Sequence, residues 1–211
     1  MMKMSPSRIR VRGFFRGAVT RVATTLHRRG VLPDTVTYFT IFLAMIALLA
    51  LALLHSEPIY GVLVFLVGFF DGVDGALARI EEGGSTSGAL TDSVSDRVSE
   101  FILLFAIALA YSGSFLAGLP VSLWVMLCLM GWLMTSYTRS RAESLGVSDL
   151  DVGVGARSER LLTLVVFSLL MLLLWGLFTV TIMGLLTAAY RYHHYRNEIM
   201  MAQNEPADHH T

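Results

Sequence analysis

Two acidic pairs carry the side chains best placed for chemistry. Asp71 and Asp74 stand three residues apart in Asp71-Gly-Val-Asp74-Gly75, and Asp92 and Asp96 stand four apart in Asp92-Ser-Val-Ser-Asp96. On helices these spacings put each pair on one face. The run Leu66-Val-Gly-Phe-Phe70 leads straight into the first pair, and Phe101-Ile-Leu-Leu-Phe105 follows the second. Carboxylates beside lipid-length apolar runs are costly and are normally kept for an ion or substrate pathway. Four of them facing one another repel unless cations sit between them. A pair of divalent ions is the simplest arrangement that relieves this. Two such ions about 3.5–4 Å apart clamp phosphoryl oxygens during an in-line displacement. Oxygen-only ligands favour Mg²⁺ or Mn²⁺ over zinc.

The elements that hold these acids read as membrane helices. The chain is 55% hydrophobic with mean hydropathy +0.63, which excludes an ordinary soluble domain. Thr35 to Leu54 is an uncharged run of about 20 residues, enough for one helical crossing. Pro58 to Phe70 leads a second span into the first acidic pair. Phe101 to Thr138 is uncharged and too long for one crossing, and it breaks at Ser112-Gly-Ser-Phe-Leu-Ala-Gly-Leu-Pro120. Leu161 to Tyr190 is again uncharged, roughly 45 Å as one helix, which by itself leaves five or six spans open.

Arginine placement decides between these counts. The amino-terminal segment holds Lys3 and Arg8, Arg10, Arg12, Arg16, Arg21, Arg28 and Arg29. Arg79 and Arg97 flank the second–third connection. Arg139, Arg141, Arg157 and Arg160 flank the fourth–fifth, and Arg191 and Arg196 stand near the end. The connections near His55 and Gly113 have none. This positive-inside pattern puts both termini in the cytoplasm and requires an even number of spans. Six helices follow, with a turn near Trp175-Gly176. The fifth and sixth borrow length from Arg157–Arg160 and Arg191–Arg196, whose side chains can snorkel. A multi-pass cell-membrane protein is therefore expected, in one domain over residues 34–200, with the acids on the cytoplasmic side. No cleavable signal is expected, because a long basic segment precedes the first apolar stretch. No nucleic-acid partner is expected.

Residues 1–33 read as an amphipathic juxtamembrane segment. From residue 5 to 29, Phe14, Phe15, Ala18, Val22 and Leu26 recur at helical spacing between arginines, as in a helix lying in the headgroup plane. Gly30 ends it, and Asp34 is expected to cap the next helix. Glu81 to Gly88 is a polar turn. Residues 201–211 form a tail expected to be disordered.

From Asp71 to Asp96 the motif is Asp71-x2-Asp74-Gly75-x2-Ala78-Arg79-x8-Gly88-x3-Asp92-x3-Asp96. This resembles the signature of the CDP-alcohol phosphotransferase family, with every signature residue and gap present. The resemblance implies an all-α membrane enzyme with six transmembrane helices behind an interfacial helix, acting as a homodimer. It implies Asp71, Asp74 and Asp92 on one ion and Asp71, Asp92 and Asp96 on a second, with Asp96 as the base that takes the acceptor proton. The CDP-linked lipid is then met by Asp71, Gly75, Ala78, Arg79 and Gly88, and by Asp34, Thr37 and Ser85. Arg79 offers a fixed fork suited to phosphate, and the two glycines leave room for a diphosphate.

Arg139, Arg141, Arg157 and Arg160 gather beside the acids and suit a phosphate, although the positive-inside pattern alone accounts for some of that. Met134–Glu143 and Gly153–Leu161 resemble the matching stretches of archaetidylinositol phosphate synthases and the similar bacterial phosphatidylinositol phosphate synthases, whose acceptor is an inositol phosphate. Ala156 departs from the acidic residue usual there. The expected reaction moves a phosphatidyl-type group, ether- or ester-linked, from the CDP-lipid to that alcohol phosphate. Glycerol 3-phosphate is the alternative acceptor, and a cation transporter the alternative class.

Overall fold

In a computed structural model, which describes residues 11–81, 85–150, 152–153 and 155–204, the chain is almost wholly helical. The helices are α1 (Val11–Arg28), α2 (Pro33–Leu54), α3 (Glu57–Ile80), α4 (Thr86–Ala110), α5 (Val121–Ser144), α6 (Arg157–Leu169) and α7 (Leu173–Asn204). Between α4 and α5, β1 (Phe115–Leu116) pairs antiparallel with β2 (Leu119–Pro120). The loop residues Ala117 and Gly118 both have positive φ, the requirement of a two-residue type I′ hairpin. This hairpin lies within the break expected from Ser112 to Pro120. The expected amino-terminal helix before Val11 and the tail beyond Asn204 lie outside the described residues. Residues 201–204, expected to belong to the tail, are the last turn of α7.

Among the described residues four helices, α2, α3, α5 and α7, are long and apolar enough to cross a membrane. α4 has 25 residues, but it carries Asp92, Asp96, Arg97 and Glu100. α6 has 13 residues, about 20 Å of helix against a hydrocarbon core of about 30 Å. By length and composition, then, four of the six expected spans qualify.

The helix ends show where local signals were outweighed. Gly30, at φ +71°, ends α1 as expected, and Val31 N–H closes the motif on Leu26 O at 3.1 Å. The cap of α2 is Leu32 and not Asp34. Pro33 takes the first helical position, where its missing N–H is harmless, and this moves Asp34 into the first turn. α4 starts inside the expected polar turn, with Ser85 Oγ accepting from Gly88 N–H at 2.9 Å. The turn expected at Trp175-Gly176 falls instead at Leu170–Leu172. Met171 takes the left-handed position at φ 57°, and Leu172 N–H bonds Phe167 O at 2.8 Å, so a glycine-type cap is built without glycine. Gly176 serves packing: a Cβ there would stand 2.7 Å from Phe167 Cβ.

Small residues set the helix contacts, as expected where lipid supplies little drive for helices to associate. α2 packs on α3 and α4, α3 on α6, and α5 on α7. α1 lays Val19, Val22, Ala23 and Leu26 on Val73, Ala76 and Leu77 of α3. On α5, a Cβ at Gly131 would lie 2.9 Å from Leu185 N of α7, and one at Gly184 would lie 2.8 Å from the fully buried Trp132. Gly131→Ala must push the α5 and α7 backbones apart, so a loss of about 1–3 kcal/mol is expected. A lower melting temperature in detergent checks it, with Gly17→Ala, which meets nothing within 4 Å, as the neutral control.

Candidate active site

Three helix ends meet at the acids: the last turns of α3, the first turns of α4 and the start of α2. One carboxylate oxygen each from Asp71, Asp74 and Asp92 lies within 4.8 Å of the other two. Asp74 is only 4% exposed. Its Oδ2 accepts from Thr37 Oγ1 at 3.0 Å, while Oδ1 is buried with no hydrogen-bond partner among the described residues. A buried carboxylate oxygen without a donor is costly, and a bound cation removes that cost. Three converging carboxylates with one such orphan atom fit a hard divalent ion.

Asp96 lies outside this trio but against Asp71. Its Oδ1 lies 2.9 Å from Arg157 Nη1, without hydrogen-bond alignment, and its Oδ2 lies 3.7 Å from Arg97 Nη1. The same Arg157 Nη1 pairs with Asp71 Oδ1, and Arg157 Nε donates to Glu100 Oε1 at 3.1 Å. A guanidinium from α6 therefore bridges Asp71 and Asp96, two carboxylates expected to share an ion. The sequence reading gave Arg157 to the acceptor phosphate and not to the acids. Arg79 is exposed on the wall of a cavity, and Arg97 also donates to Ser93 O at 2.6 Å.

Two cavities meet here. The larger, about 770 Å³, runs between α1, α3 and α6. Its apolar wall includes Val64, Phe65, Phe69, Leu161 and Val165, and its charged end has Asp71, Asp92, Arg79 and Arg157. The smaller, about 380 Å³, is polar and carries Arg97, Arg139, Arg157, Arg160 and Arg191. Asp92, Arg157 and Ser158 line both. Asp96 lines only the smaller one.

Of the residues expected to meet the CDP-lipid, Asp71, Gly75 and Arg79 line the larger cavity. A Cβ at Gly75 would meet nothing nearer than Arg79 Nη1 at 3.6 Å, so this glycine opens the cavity and does not relieve a protein clash. Gly88 differs: a Cβ there would lie 3.0 Å from Ser85 Oγ and 3.7 Å from Asp34 Oδ1. Asp34, Ser85 and Gly88 thus converge at the start of α4, off the lining of the larger cavity. Thr37 stands behind Asp74, and Ala78 is half-buried on α3.

The four expected acceptor arginines separate. Arg139 is exposed at the end of α5 and lines the smaller cavity. Arg141 does not line it, and its Nη1 lies 3.4 Å from Ser144 Oγ. Arg157 lines both cavities. Arg160 is 1% exposed, with Nη2 3.5 Å from Glu100 Oε1 and its guanidinium 4.5 Å from the Trp132 ring centroid. Its Nε and Nη1 have no hydrogen-bond partner among the described residues.

Two residues of this region escaped the sequence reading. Arg191 of α7, read as a membrane flank, is buried and donates to Val152 O at 3.0 Å and Thr135 O at 2.8 Å. Glu100 is buried one turn beyond Asp96. Its signal was available, since Asp92, Asp96 and Glu100 repeat every four residues along one helix face.

Residues 30–191 match the CDP-alcohol phosphatidyltransferase family. The chain is 29% identical to the archaetidylinositol phosphate synthase of Pyrococcus horikoshii, over 86% of this chain and 92% of that protein. It is 32% identical to the phosphatidylinositol phosphate synthase of Mycobacteroides abscessus, over 67% of this chain and 63% of that protein. Its fold matches the crystal structure of Mycobacterium tuberculosis phosphatidylinositol phosphate synthase with CDP-DAG bound, with a TM-score of 0.72 and 25% identity over 84% of this chain and 92% of that one. The family match takes in all four acids and every arginine of the smaller cavity, and the chain belongs to the CDP-alcohol phosphatidyltransferases, transferases of phospholipid biosynthesis.

Proposed function

We propose that the chain transfers the phosphatidyl-type group of a CDP-linked lipid to a hydroxyl of an inositol phosphate and releases CMP. The observation that carries this reading is the meeting of two unlike cavities at Asp92 and Arg157. An apolar-walled cavity with a charged end suits a lipid diphosphate. A compact cavity with five arginines suits a small polyol that brings its own phosphate. The archaetidyl- and phosphatidylinositol phosphate synthases among the relatives support the same acceptor.

In this reading the lipid tails lie along α3 and α6, with Arg79 on the diphosphate and Gly75 leaving room for it. Asp34, Thr37, Ala78, Ser85 and Gly88 form the nucleotide end. Asp96 faces the acceptor cavity and takes the proton of the attacking hydroxyl. The acceptor oxygen bonds the lipid-side phosphorus, the bond from that phosphorus to CMP breaks, and CMP leaves with the electron pair. Divalent ions, a first on Asp71, Asp74 and Asp92 and a second on Asp71, Asp92 and Asp96, supply charge neutralisation at the diphosphate when bound. The arginine pattern supports a multi-pass membrane protein with α2 to α7 in the bilayer and α1 in the headgroup layer. The site and both termini are then cytoplasmic, and the family resemblance supports a homodimer.

Arg139 is the cleanest probe of the acceptor, because Arg157 also holds two of the acids. Losing one charge-assisted contact costs about 1.5–3 kcal/mol, so Arg139→Ala is expected to raise the KM for inositol phosphate roughly tenfold or more. The KM for CDP-lipid is expected to stay within about twofold. An unchanged acceptor KM would mean that this arginine only fixes topology.

A further inference from the structure

We infer that Glu100 is a positioning residue that sets where Arg157 stands between the acids and the acceptor cavity. The inference rests on the proposed roles of those acids and of that cavity.

Glu100 is 3% exposed on α4, and its Oε1 receives both Arg157 Nε at 3.1 Å and Arg160 Nη2 at 3.5 Å. Arg160 is itself fixed, 1% exposed and set over the ring of the fully buried Trp132. Trp132 in turn has Gly184 of α7 against it. The Glu100 carboxylate is therefore anchored to the core, and it holds the Nε side of Arg157. The other side, Nη1, reaches Asp71 and Asp96.

This arrangement makes Arg157 a shared cation. The guanidinium is a rigid planar fork, so pinning Nε leaves mainly a swing of Nη1. Placing a divalent ion between Asp71 and Asp96 requires Nη1 to leave them, since like charges repel. With Nε held by Glu100, the displaced head stays on the wall that both cavities share, where an acceptor phosphate would meet it. Without the Glu100 charge, the attraction of Arg157 falls wholly on Asp71 and Asp96. Ions then compete with a stronger pair, and the released guanidinium has no fixed place. A buried acid holding two arginines is costly to desolvate, which makes a purely stabilising role a weak reason for it.

The test uses the purified full-length protein and two readouts: Mn²⁺ affinity, from the paramagnetic resonance of free Mn²⁺, and the separate KM values for acceptor and CDP-lipid. Glu100→Gln is expected to weaken Mn²⁺ binding and raise the acceptor KM, each about tenfold, as for the loss of one charge-assisted bond. The KM for CDP-lipid should move less than about twofold. Glu100→Asp keeps the charge and should recover most of the Mn²⁺ affinity. Because Glu100→Gln strands Arg160 in the core, Glu100→Gln with Arg160→Met is measured beside it and should show the same Mn²⁺ shift. A lower melting temperature with unchanged Mn²⁺ affinity and unchanged acceptor KM would overturn the inference, as would equal rises in both KM values. If the unaltered protein binds no Mn²⁺ or does not saturate with inositol phosphate, the reading of the site fails first, and this inference with it.

Discussion

Asp92→Asn is expected to abolish transfer, the largest effect of any single change in the chain. Asp92 is the acid of α4 that meets Asp71 and Asp74 of α3 within 4.8 Å, and it lines both cavities. The other two are each committed to one side: Asp71 lines only the larger cavity, and Asp74 is buried against Thr37. Asn keeps the shape of Asp but removes the charge and one oxygen, so the trio loses the ligand proposed to bridge both ions. Charge stabilisation at a transferring phosphoryl group is worth several kcal/mol. At about 1.4 kcal/mol per factor of ten, kcat should fall by at least about 10³-fold. Mn²⁺ binding should be lost with it, while the melting temperature should not fall, since one repelling carboxylate has been removed. Near-normal turnover in this variant, or in protein stripped with EDTA, contradicts the metal assignment.

Asp96→Asn is expected to lower kcat by roughly 10²–10⁴-fold, the usual contribution of a general base, with a larger loss if a second ion leaves too. The KM for CDP-lipid should hardly change, because Asp96 lines only the acceptor cavity. Arg157 should keep its place in the variant through Asp71 and Glu100. Single-turnover kinetics of preloaded protein separate the chemical step from binding. Unaltered kcat makes Asp96 no more than a partner of Arg157.

What could be read in the sequence was local, and what could not was long-range. The acids were legible because helix spacing alone brings Asp71 to Asp74 and Asp92 to Asp96; what sets the two pairs against each other is α2, which packs on both α3 and α4. Breaks marked by flexible residues were legible too: Gly30 closes α1, and Ala117-Gly118 makes the hairpin. The turn at Met171 was not, because its left-handed residue is a methionine, while the nearby Gly176 is used for a close approach to Phe167. Asp34 looked like a cap until Pro33 took the first helical position. The pairing of Arg157 with Asp71, Asp96 and Glu100 joins α6 to α3 and α4 across the fold. No spacing along the chain encodes it. Arginines that the positive-inside pattern places on one face all look alike in sequence. Only packing shows that Arg191 faces the smaller cavity and Arg141 does not.

The most direct measurement is CMP release from radiolabelled CDP-lipid by purified protein with Mg²⁺ or Mn²⁺, across a panel of inositol phosphate, glycerol 3-phosphate, free inositol, serine and no acceptor. The account predicts CMP formed one-for-one with a new lipid product, dependent on the divalent ion, and fastest with inositol phosphate. Equal rates with free inositol or serine would contradict the arginine-lined acceptor site. Absence of CMP under every condition, with cation flux through the same protein in vesicles, would contradict the transferase reaction itself.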